Sequence, residues 1–229
     1  MRKIALIISA VLSLGVANAQ KLELGVHGGI GFNTVPKNST DSVIPPSSST
    51  VLSYVVSIKA FTNIGNWQVG AGIDLQKIAR KTPSTKYIFA NPASPIYLMI
   101  NRKFHETYRG YIYAGADLGL MFANSSAHTK FSNNNISVAE VVYFEAGSGY
   151  TAGAHFGGTL NLGNRFDLTG EVGGKYTKYS YDYTHFDKYG NKTTGSDKYS
   201  YVYPSVTLGL RLKLFTDRFT QWTKEKEYQ

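Results

Sequence analysis

Acidic and basic residues recur at alternate positions of short segments: Glu23, Asp74, Asp117 and Glu171 share one parity with Lys59, Lys175, Arg211 and Lys213. Side chains two apart on a strand project to the same face. Opposite charges gathered there can pair into a salt-bridged filling or hydrate a narrow path for small ions. His27 and His155 fall on the same face and carry the right groups for proton transfer or metal ligation. Neither sits in a metal-ligand spacing, and no third partner or nucleophile accompanies them. The pattern therefore predicts hydrogen-bonded structural histidines, no metal, no cofactor and no catalytic residue, with a charge network that fills space rather than conducts.

The elements carrying these charges are period-two segments of roughly ten residues, the length a tilted strand needs to cross a bilayer. Leu22, Leu24, Val26, Ile30 and Phe32 alternate with Glu23, Gly25, His27, Gly29 and Gly31. Trp67 to Gln76, Ile112 to Phe122, Tyr150 to Leu162, Phe166 to Tyr176 and Ser205 to Leu214 repeat the pattern, and residues 53–63 and 95–104 follow it less cleanly. The sequence thus predicts an all-β, eight-stranded, antiparallel up-and-down transmembrane β-barrel. Short joins at 63–66, 103–109 and 163–164 alternate with long ones at about 34–52, 79–94, 123–148 and 180–199, as periplasmic turns alternate with external loops. No apolar run after the N-terminus approaches the length of a transmembrane helix.

Met1-Arg2-Lys3, an apolar stretch from Ile4 to Leu14, and Ala17-Asn18-Ala19 read as a signal peptide over 1–19. The expected organisation is that leader, a barrel over 20–215 and a short periplasmic tail over 216–229. Cysteine is absent, so disulfides contribute nothing. The formal charge is +9, and cleavage of Arg2 and Lys3 lowers it to +7. Because the basic residues are dispersed and the chain is exported, no nucleic-acid partner is expected. Outer-membrane lipid and lipopolysaccharide phosphates are the expected counterpart.

On the apolar parity, Phe32, Tyr54, Phe122, Tyr150 and Tyr176 fall at the external strand ends, and Trp67 and Phe166 at the periplasmic ends. Aromatic rings favour the two bilayer interfaces, so these residues form two expected girdles. A water-soluble sandwich or lipocalin-like barrel would alternate too, with its apolar face inward, but its wet face would not be so rich in glycine.

Leu24-Gly25-Val26-His27-Gly28-Gly29, Gly70-Ala71-Gly72-Ile73-Asp74, Ala114-Gly115-Ala116-Asp117-Leu118-Gly119 and Leu208-Gly209-Leu210-Arg211-Leu212-Lys213-Leu214-Phe215 resemble the eight-stranded outer-membrane barrel proteins of Bacteroidetes-type bacteria, related in architecture to the OmpA and OmpX barrels. The resemblance implies outer-membrane location, periplasmic termini, long extracellular loops, and assembly by the barrel-assembly machinery. Phe215 is followed by fourteen residues rather than closing the chain, so either it or the tail would carry the assembly signal. The expected role is structural or surface-interacting, with an unidentified surface ligand or envelope partner. A narrow channel or small-solute transporter is the second reading. A lipid-modifying enzyme is the third, disfavoured because the outward face is apolar through its middle. Tyr176, Tyr179, Tyr181, Tyr183, Tyr189, Tyr199, Tyr201 and Tyr203 suggest that the last two strands continue past the membrane as a hairpin, or present a binding tip.

Overall fold

The computed structural model describes residues 22–33, 51–81, 88–131, 138–187 and 189–214. The expected leader, tail and Phe215, and most of the first long loop, lie outside the described residues. The strands are β1 (Leu22–Asn33), β2 (Val51–Ile64), β3 (Trp67–Lys81), β4 (Ile88–Thr107), β5 (Gly110–Ala123), β6 (Ser126–Phe131), β7 (Val138–Phe144), β8 (Gly147–Asn161), β9 (Phe166–Phe186) and β10 (Lys192–Lys213).

Eight of them close a ring in the order β1-β2-β3-β4-β5-β8-β9-β10, each antiparallel to its neighbours, with β10 returning to β1. Closure gives every ring strand a hydrogen-bonded neighbour on both sides and leaves no open edge around the ring, which is what hydrocarbon demands of a spanning chain. The ring is staggered. Following paired residues from Lys103 through Tyr113, Gly157, Glu171, Thr207, Gly29, Val55 and Gln76 leads back to β4 at Ala93, ten residues along the strand. Such a stagger tilts the strands from the barrel axis by about 35–45°.

Polarity is inverted relative to a soluble barrel. Val26, Ile58, Leu118, Phe156, Leu208 and Leu210 are exposed on the outer wall, while Glu23, Lys59, Asp74, Asp117, Asp167 and Arg211 are buried inside. This decides against the soluble sandwich or lipocalin-like barrel.

Three stretches differ from the sequence reading. The join expected over 123–148 contains the β6–β7 hairpin, and Val141–Phe144 of β7 pair with Tyr183–Phe186 of β9. The register explains why: β9 outruns β8 and leaves an unpaired edge, and Val138-Ala-Glu-Val-Val-Tyr-Phe is β-branched and aromatic enough to cover it. The join expected over 180–199 is the continued β9–β10 hairpin that the tyrosines also suggested, paired from Phe166↔Leu212 to Phe186↔Lys192. β4, expected over 95–104, runs from Ile88 to Thr107, with His105 at φ 50° in the irregularity between Phe104 and Thr107.

The tip of the β9–β10 hairpin is tied by Asp187. Its Oδ1 accepts the backbone N–H groups of Tyr189 (2.8 Å) and Asn191 (2.9 Å), and its Oδ2 accepts Asn191 Nδ2 (2.9 Å). Asn191, through side chain and backbone, holds this exposed carboxyl below its ordinary value. A depressed carboxyl pKa gives a contribution that is present above the unfolded value and lost as pH falls through the folded one. Amide exchange at Tyr189 and Asn191 is therefore expected to accelerate as pH drops below about 4, after correction for intrinsic rates, while the ring strands stay protected. Equal protection at pH 3 and pH 6 would remove Asp187 as the tie.

Candidate functional site

The interior is the only place where the described charged groups converge, and it is built in layers. Nearest the short turns, β10 delivers Arg211 across the axis. Its guanidinium is fully buried, stacks over Phe61 (4.4 Å) and Tyr113 (5.1 Å), and donates to Tyr111 Oη (3.0 Å) and Tyr113 Oη (2.9 Å). Glu23 Oε2 lies 3.7 Å from it, and Glu23 Oε1 accepts Asn63 Nδ2 at 2.7 Å. Gln68 braces this floor by donating to Tyr111 Oη (2.8 Å) and Asn63 Oδ1 (2.9 Å). At the rim, Lys213 pairs with Asp167 at 2.7 Å.

In the middle, Lys59 from β2 meets Glu171 from β9 at 2.5 Å, and Tyr113 donates to the other oxygen of Glu171 at 3.0 Å. Above them Lys175 pairs with Asp74 at 2.6 Å, approaches Asp117 at 3.9 Å and lies over the Tyr97 ring, whose hydroxyl donates to Asp74 at 2.6 Å. His155 joins through Asn101 Oδ1 (2.8 Å) and lies 3.5 Å from Asp117 Oδ2. Toward the long-loop end the lumen turns apolar, closed by Val55, Met121, Phe144, Tyr179, Tyr181, Tyr201 and Tyr203.

Glycines on facing strands make room for the large rings. A Cβ at Gly72 would overlap the Tyr97 ring, and one at Gly157 the Tyr113 ring. The Gly-rich inner parity is therefore a set of sockets, which explains why bulky lumen residues and glycines alternate between strands.

All eight charged residues singled out by parity lie inside: Glu23, Lys59, Asp74, Asp117, Glu171, Lys175, Arg211 and Lys213. Asp167, the partner of Lys213, was not placed among them although it has the same parity. Asn63, Gln68, Asn101, Tyr97, Tyr111 and Tyr113 were also missed as members, because uncharged inward residues give no signal until a partner across the ring is known. The expectation that His27 would be hydrogen-bonded is corrected. Among the described residues neither of its buried ring nitrogens has a hydrogen-bond partner, and the ring packs against Gly209 and Gly25. Among the described residues no cluster of ligating side chains could hold a metal ion.

On the outer wall, Phe32, Tyr54, Tyr150, Tyr176, Trp67 and Phe166 are exposed and Phe122 is half-buried. One row of paired residues climbs from Trp67 through Arg102, Ala114, Phe156, Val172, Val206 and Ile30 to Tyr54. Seven strand steps at that tilt raise Tyr54 roughly 20–25 Å above Trp67, close to the height of the apolar band of an outer-membrane barrel.

No family model and no curated protein matches the chain. Among solved structures it is similar to the crystal structure of Neisserial surface protein A, at 12% identity and a TM-score of 0.51, covering 84% of this chain and 97% of that one. It is also similar to a major outer membrane protein from Thermus thermophilus, at 13% identity and a TM-score of 0.53, covering 84% and 99%. At such identities the likeness is one of fold. The class so defined is the closed, all-β antiparallel barrel of outer-membrane proteins, here with eight strands in its ring.

Proposed function

We propose that this protein is a non-enzymatic outer-membrane barrel with a closed lumen, periplasmic termini and short turns, and an external β6–β7–β9–β10 sheet that serves as its contact surface. The observation that carries the reading is the filling of the interior from floor to cap. Arg211, Gln68, Asn101, Tyr113, Met121 and Tyr201 each have no solvent exposure and belong to successive layers. An ion crossing this lumen would have to displace cross-braced pairs, so the channel reading gains no support from the geometry. The enzyme reading gains none either, because the polar groups that could act on a substrate lie beneath the tyrosine cap.

Kinship with the eight-stranded barrels of Bacteroidetes-type bacteria of the OmpA and OmpX kind belongs to the same proposal. It is supported by the quoted glycine-rich motifs, which fall on β1, β3, β5 and, over Leu208–Lys213, β10 of the ring. The aromatic girdles, the lipopolysaccharide contact and assembly through the barrel-assembly machinery belong to it as well.

The test is electrical. Purified chain folded into planar bilayers is expected to be silent, with a heat-modifiable gel band as proof of folding; regular unitary steps would move the protein to the channel class. Removing 184–194, the end of the external hairpin, should leave the mobility shift and the silence unchanged while reducing attachment to host or neighbouring-cell surfaces. Unchanged attachment would remove the contact role.

A further inference from the structure

The outer wall between the two aromatic levels is apolar with one exception. On β1–β5 and β8–β10, Arg102 is the one charged residue of the outward parity between the level of Trp67 and that of Tyr54, among the described residues. It is exposed and sits directly opposite Trp67 on β3. Its guanidinium carbon lies 5.7 Å from the Trp67 ring and 5.5 Å from the Phe104 ring, both themselves exposed on the outer wall. No described carboxylate pairs with it; Glu106, farther along β4, is taken by Lys103 at 3.4 Å.

A cation on the hydrocarbon side of an interface must find an anion or reach water. Here the two rings hold the guanidinium by cation–π contact and fix its plane, while leaving N–H groups free at its edge. On the other side its neighbour on β5 is Ala114, and Ala116 follows one step higher, so the wall beside the guanidinium is low enough for an acyl chain to lie against it. Charge, depth and planar geometry all match a phosphodiester that forms two parallel hydrogen bonds with an arginine.

We infer that Trp67, Arg102 and Phe104 form a binding site for the phosphodiester of a glycerophospholipid in the leaflet facing the short turns. The site rests on the membrane-barrel reading above. It differs from the lipopolysaccharide contact in lying at the opposite end of the barrel and in requiring one residue rather than a diffuse charge.

The test uses the full chain folded in zwitterionic detergent, with intact-complex mass spectrometry reading retained lipid. Phosphatidylglycerol is titrated against diacylglycerol of the same chains. The wild type is expected to retain one phosphatidylglycerol in clear preference to diacylglycerol, and Arg102→Gln to bind it roughly tenfold more weakly, the worth of one charge-assisted contact. Arg102→Lys, which keeps the charge without the planar fork, should fall between them. Equal retention of the two lipids by the wild type overturns the site without reference to any variant, as does an unchanged affinity in Arg102→Gln. The unboiled band separates the two levels of argument: a shifted band with no lipid preference removes only this site, whereas a protein that never shows the shift removes the barrel reading beneath it.

Discussion

Arg211→Met is expected to lower stability by about 3–5 kcal/mol, the range for removing one partner of a buried ion pair. The side chain is fully buried, holds two tyrosine hydroxyls and stacks on Phe61, so methionine can replace its volume but none of its donors. What remains is Glu23, 5% exposed and facing a floor that has lost its cation. Urea unfolding in lipid vesicles, followed by tryptophan fluorescence, measures the loss. The double variant Glu23→Gln with Arg211→Met should recover roughly 1–2 kcal/mol of it, because a neutral amide needs no counter-charge and can still accept from Asn63. Lys213→Met applies the same test at the rim. Lys213 is 23% exposed, but its partner Asp167 at 2.7 Å has no exposure, so the substitution leaves a buried carboxylate without its cation and should likewise cost about 3–5 kcal/mol. A change of less than about 1 kcal/mol in Arg211→Met would mean that the floor is not braced by this residue.

Parity is why so much of the barrel was legible. A strand repeats every two residues, so Leu22 to Phe32 and Ser205 to Leu214 state which side of the wall each residue occupies, and the charged set follows from it. Parity says nothing about which strand faces which across the lumen. Lys59 and Glu171 stand on strands that are not neighbours in the ring, and their meeting depends on stagger and on the glycine sockets beside Tyr97 and Tyr113. Those are properties of the closed ring, absent from any single segment. The β6–β7 hairpin escaped because its two strands, of six and seven residues, are too short to display a period and lie in a join where a loop was expected. Arg102 was passed over for a related reason: β4 alternates poorly, with Asn101, Arg102 and Lys103 in succession, so only the ring shows which of the three faces outward.

The second large effect lies on the outer wall. Leu208→Arg is expected to destabilise the folded protein by about 2–4 kcal/mol in bilayers, the cost of a cation at mid-depth on a lipid-facing strand. Leu208 is 65% exposed and sits between Gly28 and Gly170, so no side chain on either neighbouring strand could shield or pair with an introduced guanidinium. Leu160→Arg places the same charge at the level of Trp67, where it can reach the interface, and should cost no more than about 1 kcal/mol. Both sites are well exposed, Leu160 at 49%, so a water-soluble barrel would accept either arginine with little change. The depth dependence is therefore the discriminating quantity. Unfolding free energies in vesicles that differ between the two variants by about a kilocalorie or more place Leu208 in hydrocarbon. Equal values would mean that the exposed leucines of β10 meet water or another protein surface, and the closed polar lumen would then need a different explanation.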